Sequence, residues 1–467
     1  MHRAAFLNTM KNSSNKIVLF ITTVVSFITP FMGSSINIAL PAIGKEFGLN
    51  AILLGWIATS YLLSAAVFLV PFGKIADIYG RKKIFTMGVV IYSVSSFLAA
   101  ISQTVLLLIL SRVLQGIGGA MIFGIGVAIL TSVFPGGERG RVLGINSAAV
   151  YIGLSMGPVI GGFLTQHFGW RSIFTLNAII GLSVTFLILW KMKGEWKGPE
   201  NEKFDFTGSV IYAIMLIAII YGFSSLPATL GWVLILTGIL CLYMLIIYES
   251  SIINPLLNIK LFRNNAVFAF SNLAALINYS ATFAVGFLLS LYLQYIKGYY
   301  PREAGMVLMS QPIIMAIFSP FAGKLSDKIE SKLIASAGMA FTVAGLILLS
   351  FLNDGSSLWF ILTGLIIIGF GTALFSSPNT NAVMGSVERN FYGVASATLS
   401  TMRIVGQMLS IGIAMLIFAV LIGRVQITPA CYKPFLSSMR IAFVIFSILC
   451  TIGIFASLAR GNNIRNQ

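Results

Sequence analysis

The chain has 467 residues, of which 57% are hydrophobic and 9% are charged. Soluble globular proteins carry roughly 25% charged residues, so the composition excludes an ordinary soluble chain of about three domains. Its 30 lysines and arginines outnumber its 13 aspartates and glutamates, giving a formal charge of +17. Most of the basic residues lie in short gaps between long apolar runs, which is typical of a polytopic membrane protein and not of a nucleic-acid-binding protein.

Fourteen apolar runs are long enough to cross a bilayer as helices, which takes roughly 20 residues each. The fold class predicted is therefore all-α, with a helix in every run. The predicted spans, numbered 1 to 14, cover residues 17–41, 53–72, 84–103, 105–133, 142–164, 172–192, 206–225, 229–248, 266–292, 304–321, 333–352, 357–378, 392–423 and 437–459.

The basic residues predict the orientation of these spans. With a cytoplasmic N-terminus, 21 of the 30 lysines and arginines fall in loops or at span ends on the inner side and 7 on the outer side, while Arg112 and Arg403 lie deep within spans. Basic residues are retained on the cytoplasmic side during insertion. We therefore predict a multi-pass protein of the cell membrane with both termini in the cytoplasm.

A short repeat predicts how the spans are grouped. Residues 73–77 after span 2 read Gly-Lys-Ile-Ala-Asp, and residues 323–327 after span 10 read Gly-Lys-Leu-Ser-Asp. Copies eight spans apart indicate two six-helix halves separated by two extra helices. We predict an N-terminal bundle over 1–192, a connector with the inserted helix pair and following loop over 193–262, and a C-terminal bundle over 263–467.

Longer motifs accompany the repeat. Residues 73–83 read Gly-Lys-Ile-Ala-Asp-Ile-Tyr-Gly-Arg-Lys-Lys, residues 112–120 in span 4 read Arg-Val-Leu-Gln-Gly-Ile-Gly-Gly-Ala, and residues 153–162 in span 5 read Gly-Leu-Ser-Met-Gly-Pro-Val-Ile-Gly-Gly. With these motifs in this order, the chain resembles the major facilitator superfamily, and more narrowly its fourteen-span drug:proton antiporter branch. The resemblance implies a substrate cavity between two bundles that rock to expose it to each side in turn, and it implies multidrug-type efflux.

The first motif contains a candidate conformational latch. Asp77 and Arg81 are four residues apart at a cytoplasmic helix junction, where a carboxylate can pair with a guanidinium and meet the positive end of a helix. We assign Gly73, Asp77, Gly80, Arg81 and the repeat acid Asp327 to this latch. The alternative is an ordinary interfacial salt bridge, which contributes little to stability on exposed loops.

Arg112 is the principal candidate for the cavity. It lies about 10 Å along span 4, too deep to be an interfacial anchor, so its guanidinium must face a cavity or a partner. The resemblance implies control of proton or substrate charge, and the alternative is a structural hydrogen-bond hub. Gln115, Asn37 in span 1 and Arg403 in span 13 complete the candidate cavity residues.

Span 5 carries a candidate hinge. Gly153, Gly157 and Gly161 recur every four residues and share one helix face, while Pro158 removes a backbone donor and bends the helix. With Gly162, they form the segment that the resemblance associates with antiporters and therefore with export. The alternative is ordinary small-residue packing between helices.

The positions of the acidic residues give little support to proton antiport. All thirteen lie in loops or at span ends, and an arginine cannot replace a titrating carboxyl group. Coupling must therefore use Asp77, Asp205, Glu249 or another edge acid, or the transporter is uncoupled. We also predict a preference for neutral or anionic amphipathic substrates over dications.

Other functions and partners are less consistent with the sequence. The main alternative is a facilitator or importer of one polar or anionic metabolite on the same fold. A receptor would need a soluble sensory domain, and an enzyme would need paired acids, a nucleophile or a phosphate loop. We expect a small-molecule substrate and a lipid bilayer as partners, protons as the coupling ion, no cofactor, metal or nucleic acid, and a monomer.

Overall fold

The computed structural model describes residues 2–134, 136–197, 204–252, 255–257, 259–326, 328–388, 392–423 and 425–461. Over these residues it is built from helices and contains no strand. Fourteen of the helical segments described are long and apolar enough to cross a membrane. The predicted all-α fold with fourteen spans is therefore confirmed.

The helices correspond one to one with the predicted spans. Spans 1 to 6 are His2–Phe47, Ala51–Tyr79, Arg81–Ala100, Val105–Val133, Gly136–Phe168 and Arg171–Lys191. The inserted pair, spans 7 and 8, is Phe206–Ser225 and Thr229–Ser251, followed by the short helix Ile259–Asn264. Spans 9 to 14 are Ala266–Thr282 with Ala284–Leu291 and the π-helical turn Tyr292–Ile296, Pro301–Leu308 with Ser310–Ser326, Ser331–Leu349, Leu358–Gly385, Tyr392–Leu421, and Tyr432–Leu458 after the 3₁₀ turn Pro429–Cys431.

Several helices extend beyond the limits predicted from hydropathy. Span 2 continues to Tyr79, so the first half of the 73–83 motif is helical and not a loop. A helix need not end at the edge of the hydrocarbon core, because its polar side chains can continue into the headgroup layer. The break comes at Gly80, whose φ of +120° is a conformation that other residues rarely adopt.

Side-chain caps explain where many of the helices begin. The side chains of Asn50, Thr104, Asp205, Asn265 and Ser357 each accept a hydrogen bond from the backbone N–H three residues later. Each bond satisfies one of the donors that the first helical turn leaves free. Polar residues in the short gaps of the sequence therefore cap the first turn of the span that follows.

The helices form two bundles with the same internal packing. In the first bundle span 1 packs on span 5, span 2 on span 4, and span 3 on spans 4 and 6. In the second bundle the corresponding pairs are span 9 with 13, span 10 with 12, and span 11 with 12 and 14. The packing of the second bundle thus matches that of the first, with each span replaced by the one eight positions later. The exact domain limits stay a prediction.

The inserted pair lies against the edge of the two bundles. Span 7 packs on span 8 and also on span 2 of the first bundle and span 13 of the second. The hydroxyl of Tyr212 in span 7 donates to the carbonyl of Ala66 in span 2 at 3.1 Å. Most of span 8 is exposed, its buried residues being Gly231, Gly238, Leu245 and Glu249. Span 8 therefore presents an apolar surface suited to lipid.

Candidate functional site

The ion pair predicted for the first motif is formed. Arg81 Nε donates to Asp77 Oδ1 at 2.8 Å, and Arg81 Nη1 donates to the hydroxyl of Ser132 at 2.6 Å and to the carbonyl of Ala128 at 3.3 Å. Ser132 and Ala128 belong to span 4. The guanidinium therefore joins neighbouring ends of spans 2, 3 and 4 within one bundle.

The connector after span 6 completes this junction through a residue that the sequence reasoning missed. The carboxylate of Glu195 accepts from the backbone N–H groups of Lys82 and Lys83 at 2.7 and 3.2 Å, and the carbonyl of Trp196 accepts from Arg81 N at 2.7 Å. An acid at a helix N-terminus satisfies free donors and complements the helix dipole. Glu195 is 113 residues from the helix that it caps, so no local pattern indicated it.

The contacts of the predicted latch are described only in part. Asp77, Gly80 and Arg81 have their described hydrogen bonds within the first bundle and to the connector, and Gly73 has open space where a side chain would stand. Asp327 lies outside the described residues. The latch between bundles therefore stays a prediction, whereas the junction around Arg81 is a feature of the fold.

Arg112 is the centre of a buried polar network. It is 1% exposed, its Nε donates to the carbonyl of Ile57 at 3.1 Å, and its Nη1 donates to the side-chain oxygen of Gln115. Gln115 Nε2 in turn donates to the hydroxyl of Ser96 at 2.7 Å, and the guanidinium carbon lies 4.6 Å from the ring centroid of Tyr61. These contacts join spans 2, 3 and 4 around a cation paired with neutral groups.

The described contacts of Asn37 and Arg403, the other two cavity candidates, are with residues of the second bundle. Asn37 is at the contact between span 1 and span 9, where its backbone carbonyl accepts a hydrogen bond from the hydroxyl of Ser290 at 2.6 Å. Arg403 lies in the second bundle, with its guanidinium carbon 5.1 Å from the ring centroid of Tyr279. The structure thus brings Arg112 and Gln115 into contact, and it shows no hydrogen bond from this pair to Asn37 or Arg403 among the described residues.

The glycine face of span 5 packs on span 1. A methyl group at Gly153 would overlap the carbonyl of Phe27, one at Gly157 would overlap the hydroxyl of Ser34, and one at Gly161 would lie 2.7 Å from Ser35 Cβ. The hydroxyl of Ser35 donates to the carbonyl of Gly157 at 2.9 Å. Small residues thus permit the two backbones to touch, as the four-residue spacing predicts.

The remaining hinge residues contact the second bundle. A methyl group at Gly162 would overlap the carbonyl of Pro301, and one at Gly305 in span 10 would overlap the carbonyl of Pro158. Nearby, Arg302 N donates to the side-chain oxygen of Gln166 at 3.3 Å. Span 5 therefore has one glycine face inside its own bundle and a second contact across the bundle interface.

All described hydrogen bonds between spans 1–6 and spans 9–14 lie in the half of the molecule that the predicted orientation places outside. Examples are Ser290 to Asn37, and Gln294 to the carbonyl of Ile38 at 3.1 Å. A cavity of about 460 Å³ lies at this end, lined by residues of both bundles including Lys45, Gln294 and Tyr299. This arrangement closes the bundles at the end that the predicted orientation places outside.

Comparison with known proteins decides the family. The sequence profile described as Major Facilitator Superfamily matches residues 22–277 and residues 271–463. The chain belongs to this superfamily. It is 33% identical over 387 residues to riboflavin transporter RibZ of Clostridioides difficile (strain 630), covering 83% of this chain and 84% of RibZ.

Further relatives confirm the resemblance to the multidrug efflux branch of the superfamily. Multidrug resistance protein Stp of Mycobacterium tuberculosis (strain CDC 1551 / Oshkosh) is 29% identical over 412 residues, which is 87% of this chain and 76% of Stp. Among solved structures, a bacterial homologue of the human lysosomal transporter Spinster has a TM-score of 0.71 at 17% identity, covering 96% of this chain and 97% of that one. The fold is therefore a superfamily transporter fold, and the protein is a transporter and not an enzyme.

Proposed function

We propose that this transporter exports small amphipathic compounds across the cell membrane by alternating access, in exchange for protons. The observation that carries the direction of transport is the Gly153, Gly157 and Gly161 face of span 5, with Pro158 beside it, packed on span 1. The sequence resemblance associates this segment with antiporters. The 29% identity to a protein named for multidrug resistance supports the same direction.

The transport cycle follows from the closed outer interface. Gly162 and Gly305 allow spans 5 and 10 to meet through backbone atoms, so the contact contains few side chains that must repack when it separates. Rocking of the bundles would break this contact and the hydrogen bond from Ser290 to Asn37. The substrate would then leave to the outside, as expected for two repeats around a central site.

The charges favour neutral or anionic substrates. Arg112 is buried among neutral partners, and Arg403 is half-buried over Tyr279 with no described hydrogen-bond partner at its Nε. The acids of the sequence lie in loops and at span ends. A cation in the middle of the membrane would therefore meet guanidinium groups without nearby carboxylates, which costs free energy.

A second candidate function is the uptake or facilitated movement of a polar metabolite. The relative RibZ, at 33% identity, is named as a riboflavin transporter. Riboflavin is neutral, planar and polar, so it also fits the proposed preference for neutral or anionic substrates over cations. The two functions differ in direction and in dependence on a proton gradient.

Transport in proteoliposomes separates the two functions. Riboflavin, fluorescein and ethidium serve as neutral, anionic and cationic fluorescent probes, with and without an imposed pH gradient. Export requires that a gradient drives riboflavin or fluorescein against its concentration, and that ethidium competes poorly. Saturable riboflavin movement that does not depend on the pH gradient would support the facilitator. Gradient-driven ethidium transport without competition by the other probes would contradict the proposed preference for neutral or anionic substrates.

A further inference from the structure

The inner end of the inserted helix pair holds two carboxyl groups side by side. Asp205 caps span 7, and its Oδ1 accepts from Gly208 N at 2.8 Å and from the hydroxyl of Tyr248 at 3.1 Å. Glu249 lies in the last turn of span 8, is 2% exposed, and accepts at Oε2 from Leu257 N at 3.2 Å. One oxygen of each carboxyl group is therefore satisfied by protein donors.

The second oxygen of each group has no hydrogen-bond donor in the described part of the chain. Asp205 Oδ2 and Glu249 Oε1 are buried, and neither has a hydrogen-bond partner among the described residues. Both lie against Gly208, where a methyl group would overlap Asp205 Oδ2 and would be 2.6 Å from Glu249 Oε1. Two buried acceptors thus reach the space that a side chain at Gly208 would fill, and the absence of that side chain leaves room for them.

The charged side chains described around the pair form no ion pair with it. No lysine or arginine in the described part of the chain is recorded in an ion pair with either carboxylate. Lys260 and Arg263 of the following short helix are exposed. On span 2, which packs against span 7, Asp77 is paired with Arg81, and the hydroxyl of Tyr248 on span 8 donates to Asp205.

Two ionised carboxylates that both reach Gly208 repel each other, and their buried free oxygens lack hydrogen bonds within the described residues. One proton relieves both problems, because the protonated oxygen of one group can donate to the free oxygen of the other in a charge-assisted hydrogen bond. We propose that Asp205 and Glu249 share one proton and that this pair is the proton-coupling site of the transporter. The proposal rests on the proton antiport given under Proposed function.

The position of the pair provides a route from protonation to bundle motion. Asp205 begins span 7, and span 7 packs on span 2 of the first bundle and on span 13 of the second. Tyr212, two turns further along, bonds to the carbonyl of Ala66 in span 2. Release of the proton to cytoplasmic water restores two charges, which drives the ends of spans 7 and 8 apart and alters the packing of span 7 between the bundles.

Infrared difference spectroscopy of the purified full-length protein tests the shared proton without any substrate. On titration of pH, wild type should show the carbonyl stretch of a protonated carboxyl group, and Glu249→Gln and Asp205→Asn should each lose it. Asparagine preserves the helix cap, and glutamine preserves the shape of Glu249. The control Glu195→Gln should retain the band. A band that survives in both variants, or is absent from wild type, overturns the proposal.

Transport in proteoliposomes tests the coupling. Glu249→Gln should lose movement of riboflavin or fluorescein driven by a pH gradient while retaining exchange of labelled for unlabelled probe, and Glu249→Asp should recover part of the pH response. An unchanged pH response in Glu249→Gln overturns the proposal, as does a sodium gradient that drives wild type and fails in the variant. Failure of antiport itself is distinguishable: wild type would then show the carboxyl band but no response to the gradient.

Discussion

Arg81 Nε lies 2.8 Å from Asp77 Oδ1, across the glycine that separates span 2 from span 3. This ion pair is half-buried, and its guanidinium also reaches span 4 through Ser132. The pair thus holds three helix ends together, at the side that the predicted orientation places in the cytoplasm.

We expect Asp77→Asn to reduce transport strongly. Loss of a charge-assisted hydrogen bond of about 1–2 kcal/mol corresponds to a change of roughly 5- to 30-fold in a conformational equilibrium. Transport of fluorescein in proteoliposomes measures the effect. The matched control is Glu330→Gln, which removes a more exposed ion pair of 3.0 Å with Lys332 and should leave transport unchanged. Equal effects of the two variants would refute a specific role for Asp77.

Substitution of Arg112 by lysine distinguishes the cavity role from the structural hub. An ammonium cannot reproduce the bonds to Ile57 and Gln115 together, and one unsatisfied buried group costs about 1–3 kcal/mol. We expect both the melting temperature and the transport rate per folded molecule to fall. The exposed Arg440→Lys serves as the control. A lower melting temperature with an unchanged transport rate would assign Arg112 to structure alone.

The glycine face of span 5 offers an internal comparison. Gly153→Ala would place a methyl group against the carbonyl of Phe27, whereas Gly144→Ala on the same helix meets nothing within 4 Å. Overpacking of this kind typically costs about 1–3 kcal/mol. Thermal unfolding in detergent should show a clear loss of stability for Gly153→Ala and none for Gly144→Ala. Similar melting temperatures would mean that the contact between spans 1 and 5 is readily relaxed.

Gly305→Ala should favour the state that is open to the outside. The added methyl group would overlap the carbonyl of Pro158, and this contact lies between bundles, so their separation relieves it. In a cysteine-free background carrying Gln294→Cys at the outer interface, labelling by a membrane-impermeant maleimide should become faster. Gly355→Ala, in the loop between spans 11 and 12, is the control. Unchanged labelling would show that spans 5 and 10 do not control the outer opening.

Arg460 at the inner end of span 14 should limit stability. It is 1% exposed, its guanidinium nitrogens have no hydrogen-bond partner within the described segments, and burial lowers its pKa to about 10. The folded chain therefore releases this proton at lower pH than the unfolded chain, so stability rises with pH above about 10 and the full penalty is present at pH 7.

Arg460→Leu should consequently raise the free energy of unfolding at pH 7 by about 1–3 kcal/mol, the usual cost of an unsatisfied buried group. Thermal unfolding at pH 7 and pH 10.5 measures it, and the gain should be smaller at the higher pH. Arg263→Leu provides an exposed comparison. A variant that is less stable than wild type would mean that the guanidinium has a favourable environment.

The membrane architecture was predictable because it depends on local composition. Twenty-residue apolar runs indicate spans wherever they occur, and all fourteen were recovered. Helix ends were less predictable: span 2 includes the polar residues up to Tyr79, because capping and headgroup contacts, and not hydropathy alone, decide where a helix stops. The repeat at residues 73–77 and 323–327 correctly indicated two bundles of six.

The site was predictable only in its residue types. Four-residue spacing placed the glycines of span 5 on one face, but it could not show that Gly153 meets Phe27 while Gly162 meets Pro301. The depth of Arg112 indicated a partner, and the tertiary structure identified Ile57, Gln115 and Tyr61. Helical periodicity relates residues along one span, whereas these contacts depend on how different spans pack.

The sequence by itself determined fourteen spans, their repeat and the absence of acids from the middle of the spans. Only the tertiary structure decided that Asp205 and Glu249, 44 residues apart along the chain, place unpartnered oxygens against the same glycine. Insertion into a bilayer is governed by the summed hydrophobicity of each segment, which the order of residues contains directly. Proximity between acids at two helix ends arises only when spans 7 and 8 pack together, because the turn between them and the close contacts at Gly222 and Gly238 set their register.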